Sequence, residues 1–139
     1  MTWTTPKTWA VGDPATAADF NTYIRDNAAY LFGDSAWISP VYANGWADFL
    51  SGWDPVGYKR IGSTVVFRGA MKSGTVAAAS FTITGGPPTY RPPANHVFQC
   101  NNNANANCGV SITAAGVLAT SAGASNVFVD LGQIEYQLS

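Results

Sequence analysis

The chain has 139 residues, seven of them basic and eight acidic, for a net charge of −1. That balance leaves no electrostatic footprint for nucleic acid. Hydrophobic residues reach 47%, whereas charged residues stop at 11%, well below the usual level of about a quarter. Little charge is available to keep copies apart. Such a surface suits a component of an extracellular particle better than a cytosolic enzyme. The length fits one domain with a real core plus a short extension.

Residues 2–8 have the composition of an extended arm, with Trp3 and Trp9 as anchors. Gly12-Asp13-Pro14 is a turn signal. A helix is expected over 16–32. Thr16 is its N-cap, and Asp19 completes a shortened capping box that suits the positive helix end. Ala17, Phe20, Ile24, Asn27 and Leu31 step by three and four residues, the seam spacing of a short coiled coil with a polar Asn27 in it. Tyr23 and Tyr30 flank the seam. A helix this short is marginal in water and must dock. It docks either on its own domain or on copies of itself around a symmetry axis, with Asn27 setting the register. Residues 1–36 are therefore read as an arm plus an attachment or trimerisation helix, and 37–139 as a β-domain.

No apolar run reaches transmembrane length, and the N-terminus lacks a charged-then-apolar signal pattern. Membrane insertion and signal-dependent export are not expected. From Trp37 onward the chain reads as short strands and turns. Asn44-Gly45 is a turn signal, and an aromatic-rich stretch follows to Trp53. Residues 58–61 and 64–72 form a hairpin around Gly62-Ser63. Val65, Phe67 and Met71 fall on one face, and Thr64, Val66, Arg68 and Lys72 on the other. Residues 80–84 make a short strand. Four prolines within 85–93 rule out a central strand and predict a crossing loop over Tyr90. Residues 97–100 pair with 108–112, and 110–114 with 117–120. Residues 127–131 and 134–138 close the chain, with Ile134, Tyr136 and Leu138 on one side. Strands at this spacing predict a mainly β fold, an antiparallel sandwich or open barrel after one helix.

Paired catalytic groups are missing from the sequence. His96 is the single histidine, without an evident Ser or Cys partner. Asp48 and Asp54 are close in sequence, yet turn and strand-end roles account for them. Phosphate-cradling glycine motifs are absent. The expectation is a protein that is not an enzyme and needs no cofactor. Two cysteines and one distant histidine are too few for a closed zinc site. Cys100 and Cys108 can face each other across a hairpin mouth, where a disulfide is geometrically possible. Between them, Asn101, Asn102, Asn103, Asn105 and Asn107 form a polar tip that offers amides to a glycan or is simply a solvated turn. Trp37, Trp46 and Trp53 suit either a sugar-stacking platform or core and interface packing.

The segment Trp3-Thr-Thr-Pro-Lys-Thr-Trp9, followed by Thr16-Ala-Ala-Asp-Phe-Asn-Thr-Tyr-Ile-Arg-Asp-Asn27, resembles the N-terminal segment of tailed-bacteriophage structural proteins. Asn44-Gly45-Trp46, Tyr58-Lys59-Arg60, Gly62, Val66-Phe67-Arg68-Gly69, Tyr90-Arg91-Pro92 and 127–134 resemble the knob of phage tail-fibre and receptor-binding proteins. The resemblance implies a β-sandwich knob, a homotrimer, and a place in the virion after assembly in the host cytoplasm. It implies other virion proteins and a host-surface glycan as partners. Helix and knob are nearly contiguous here, so a compact tail-tip part, a short spike or a capsid decoration fits better than a long fibre. A free carbohydrate-binding module is the alternative of another class.

Overall fold

A computed structural model describes residues 4–33, 35–84, 90–102 and 107–138. One helix runs over 17–32. It is α-helical at Ala17–Asp19, π-helical at Phe20–Asp26 and α-helical again at Asn27–Phe32. Among the described residues ten short strands follow: β1 (Ala47–Asp48), β2 (Gly57–Ile61), β3 (Thr64–Arg68), β4 (Ala70–Lys72), β5 (Ala79–Thr82), β6 (His96–Asn101), β7 (Asn107–Ile112), β8 (Val117–Thr120), β9 (Val129–Asp130) and β10 (Glu135–Gln137). They form three antiparallel sheets in the orders β1-β4-β9, β10-β3-β2 and β5-β8-β7-β6. The fold is mainly β, as the strand spacing predicts.

The sheets close on one apolar core. Tyr58, Val65, Phe67, Met71, Phe81, Ile112, Leu118, Val129, Ile134 and Tyr136 are all buried in it. Two tyrosine hydroxyls that enter this core find partners, as burial demands, whereas the Trp46 indole N–H and the Ser80 hydroxyl are buried without one among the described residues. The Tyr58 hydroxyl donates to the Thr84 carbonyl at 2.8 Å and accepts from the Thr84 amide at 2.8 Å. The Tyr136 hydroxyl donates to the Tyr90 carbonyl, and burial pushes its pKa above the usual phenol range. Tyr90 is itself buried, while the expected crossing loop at 85–89 lies outside the described residues.

The predicted hairpin forms around Gly62, whose φ is +58°, with Tyr58 opposite Phe67 and Arg60 opposite Val65. The single strand expected over 64–72 is split. Gly69 interrupts it at φ +79°. A Cβ there would lie 2.5 Å from the Asp54 carbonyl oxygen and 2.7 Å from Pro55. Only glycine tolerates both the left-handed backbone and that approach. The chain thereby leaves the β2–β3 sheet at Arg68 and enters the β1–β9 sheet at Ala70. The alternation survives the break, since Val65, Phe67 and Met71 are all buried.

Leading from the helix into the knob, residues 35–42 run beside its strands. The Ser35 amide donates to the Arg60 carbonyl at 2.9 Å, and the Arg60 amide donates back to the Ser35 hydroxyl at 2.8 Å. Bridges Ile38–Tyr58 and Tyr42–Phe81 carry this segment from one sheet to the next. Trp46 is buried flat against Gly74, where a Cβ would lie 2.0 Å from the indole. Gly74→Val therefore forces the indole out of the core. We expect a loss of about 1–3 kcal/mol and a Tm lower by several degrees, read by circular dichroism. An unchanged Tm would refute this packing.

Candidate functional site

The N-terminal unit is built by its caps. The Thr16 hydroxyl accepts from the Asp19 amide at 3.2 Å, and the Asp19 carboxylate accepts from the Thr16 amide at 3.1 Å. The Thr16 hydroxyl also donates to that carboxylate at 2.6 Å, which holds Asp19 below the usual carboxylate pKa. This is the capping box expected from the sequence. The arm then folds back along the helix. Asp13 accepts from the Ala10 amide at 3.0 Å and turns the chain at Gly12, φ +94°. Lys7 approaches the Asp19 carboxylate at 3.9 Å.

Asn27 fastens the far end of the arm. Its Oδ1 accepts from the Thr4 amide at 2.9 Å, while its Nδ2 donates to the Thr4 carbonyl at 2.7 Å and to the Tyr23 carbonyl at 3.3 Å. The side chain is 4% exposed, and all these groups are satisfied within one chain. The apolar seam positions behave differently. Phe20, Ile24 and Leu31 are 52%, 58% and 47% exposed. Ala17 is exposed and Tyr23 half-buried. The π segment accounts for the separation. Its wider turns mean that seven residues no longer complete two turns, so Asn27 rotates away from the line of Phe20 and Ile24. At the helix end, the Arg60 guanidinium stacks on Tyr30 at 4.6 Å. The Leu31 carbonyl sits over Gly62, leaving only 2.8 Å for a Cβ there.

At the opposite hairpin, Asn101 and Asn107 are exposed register partners at the ends of β6 and β7. Asn102 bridges to Val129. Asn103 and Asn105 lie outside the described residues. Cys100 and Cys108 are direct register partners and stand as buried thiols. Burial pushes Cys100 up to about 12 and raises Cys108 as well. Gly109 accepts from Ser121 across the β7–β8 ladder, so Cys108 turns its backbone toward β6. The two cysteines thus occupy a hydrogen-bonded pair, where side chains stand further apart than at the alternate positions.

The three tryptophans of the knob separate. Trp46 is buried in the core. Trp37 lies on the outer face of β2–β3, with the Arg68 guanidinium 4.3 Å and the Lys59 ammonium 5.2 Å from its ring centre. Trp53 is exposed and packs edge-on against Phe128 at 4.8 Å. Asp48 is a structural carboxylate. It accepts from the Tyr42 hydroxyl at 2.6 Å and the Val56 amide at 2.9 Å, closing the loop 48–56 at its base. His96 stacks between Phe98 and Tyr136 at about 6 Å. Among the described residues, no group of three His, Cys, Asp or Glu side chains is placed to hold a metal. No helix of the described residues is long and apolar enough to cross a membrane.

Sequence reasoning singled out Asn27 by its polarity within the seam, but missed its partner, because Thr4 contributes only backbone groups. It also missed the Asp48 clamp and the Phe49–Phe128 contact. Replacing Asn27 with Ala strips both Thr4 backbone groups of their partner, a loss of about 1–3 kcal/mol in arm attachment. Faster amide exchange at the arm, with the knob Tm unchanged, is the expected result. Unaltered arm protection would contradict the clamp.

No protein-family profile and no curated protein sequence matches the chain. A solved structure does: the receptor binding protein (gp15) of Listeria phage PSA, with a TM-score of 0.63. The two are 16% identical, and the superposition covers 91% of this chain and 82% of that one. At that identity the likeness establishes a shared fold.

Proposed function

We propose that this chain is a structural protein of a tailed-bacteriophage virion, a tail-associated knob that contacts the host surface. One observation carries the reading: the fold likeness to a phage receptor binding protein extends over 91% of the chain, too much to be met by the β-knob alone. The low charge supports it, because a virion part is largely covered by neighbours. In this reading the protein performs no chemistry and needs no cofactor. It works by burying apolar surface between copies and by presenting a rigid β-scaffold outward.

The assembly is a homotrimer. Phe20, Ile24 and Leu31 are the natural contact, because large exposed apolar side chains along one helix gain free energy when copies cover them. The arm at 4–16 is the segment offered to a neighbouring virion protein. Its residues are mostly exposed, with Trp9 and Val11 open to solvent. The protein therefore belongs to the assembled particle rather than to a membrane or to nucleic acid. The same fold would also serve a capsid decoration, which needs many more copies per particle.

Sedimentation velocity at micromolar concentration tests the assembly. The trimer is expected for the natural sequence, and a smaller species for Ile24→Asp. A monomer for the natural sequence would remove the trimer. Copy number per virion separates tail from head: few copies support the tail reading, and hundreds would replace it with decoration.

A further inference from the structure

The outer face of the β1–β4–β9 sheet has an unusual chemistry. Asp48, Met71 and Val129 are register partners, and Met71 and Val129 are fully buried on the inner side. Alternation along the strands therefore puts Phe49, Lys72 and Phe128 on the outer side. The contacts agree. Phe49 meets Phe128 edge-on at 5.1 Å, and the Lys72 ammonium lies 5.8 Å from the Phe49 ring centre. Trp53 closes the row against Phe128 at an interplanar angle of 61°. Trp53 remains 42% exposed, with Leu50 and Val127 at 60% and 54%.

The loop that carries the ring is also tied down. Trp53 sits in the loop 48–56, whose two ends are tied by the Asp48 carboxylate to the Val56 amide. The Gly52 amide donates to the Leu50 carbonyl at 2.8 Å inside it. The Asp54–Pro55 backbone lies against Gly69, an approach that any Cβ would forbid. A half-exposed indole on a tied-down loop loses little conformational freedom when a ligand covers it.

We infer that Trp53, braced by Phe128, is a stacking platform for a pyranose sugar through the sugar's apolar C–H face. The negative face of an indole attracts weakly positive C–H groups. Sugar hydroxyls at the ring's margin need polar groups, and Ser51 and Asp54, both exposed, flank Trp53 in the loop. Lys72 adds a donor beside Phe49. The helix face is different, since aliphatic Ile24 and Leu31 stand with Phe20 there, whereas Phe49, Phe128 and Trp53 form a row of rings in mutual contact. That contrast assigns the row of rings to a glycan and the helix face to copies of the chain. Trp37 serves less well, because Arg68 and Lys59 already stand over its ring. This inference rests on the host-contact reading above and names the ligand class of that contact.

Saturation-transfer NMR tests it with the methyl glycosides of glucose, galactose, mannose and N-acetylglucosamine as probes. Transfer to the ring protons of at least one probe is expected. It should fall several-fold in Trp53→Ala, recover partly in Trp53→Phe and persist in Trp37→Ala. No transfer from any of the four, or equal transfer in Trp53→Ala, would overturn the platform. So would a smaller sedimenting species for Trp53→Ala, which would make this face a contact between copies. Competition for phage adsorption separates the two claims. If the natural protein fails to compete, the host-contact reading falls. If it competes and Trp53→Ala competes equally, only the platform falls.

Discussion

Gly69 is the position on which both the core and the outer surface depend. With φ at +79° and the Asp54 and Pro55 backbone pressed against it, it ends β3 and begins β4 one residue later. The turn moves the chain from the β10-β3-β2 sheet to the β1-β4-β9 sheet. The two sheets thus share one continuous segment. Val65, Phe67 and Met71 from that segment enter one core. The same close approach seats the loop 48–56, and with it Trp53. A side chain at position 69 would separate the sheets and unseat the loop together.

The N-terminal unit follows a similar logic of one fixed contact and one free face. Asn27 ties Thr4 to the helix through backbone groups. The arm covers that side, so the remaining face shows Phe20, Ile24 and Leu31 to solvent. Among the described residues the helix meets the knob near Tyr30, Leu31 and Gly62, at its end, and the Phe20, Ile24 and Leu31 side chains stay exposed in the single chain. In the proposed assembly the helix face meets copies and the Trp53 face meets the host. Few charges oppose either contact, because so little of the surface is ionised.

Much of this was legible in the sequence where a local rule acts alone. Thr16 and Asp19 cap the helix as their side chains require. The pairs β2–β3 and β7–β8 follow from alternation and turn glycines, and Ile134 and Tyr136 face inward as expected. The break at Gly69 was hidden because the alternation of Val65, Phe67 and Met71 runs through it unchanged. Strands β1 and β9 have two residues each, too few to show any period. The π segment leaves no compositional trace, so the seam looked straight. Tertiary partners were the least visible. Asp48 joins Tyr42 to Val56, and Trp53 meets Phe128 across most of the chain, and nothing local in the sequence announces either contact.

The central claim is a division between two exposed apolar surfaces, one for copies and one for a ligand. Hydroxyl-radical footprinting of the protein in solution tests it directly, since it reads side-chain accessibility in the assembled state. The account predicts strong protection of Phe20, Ile24 and Leu31 and ready oxidation of Trp53. Protection of Trp53 with oxidation of the helix face would contradict it.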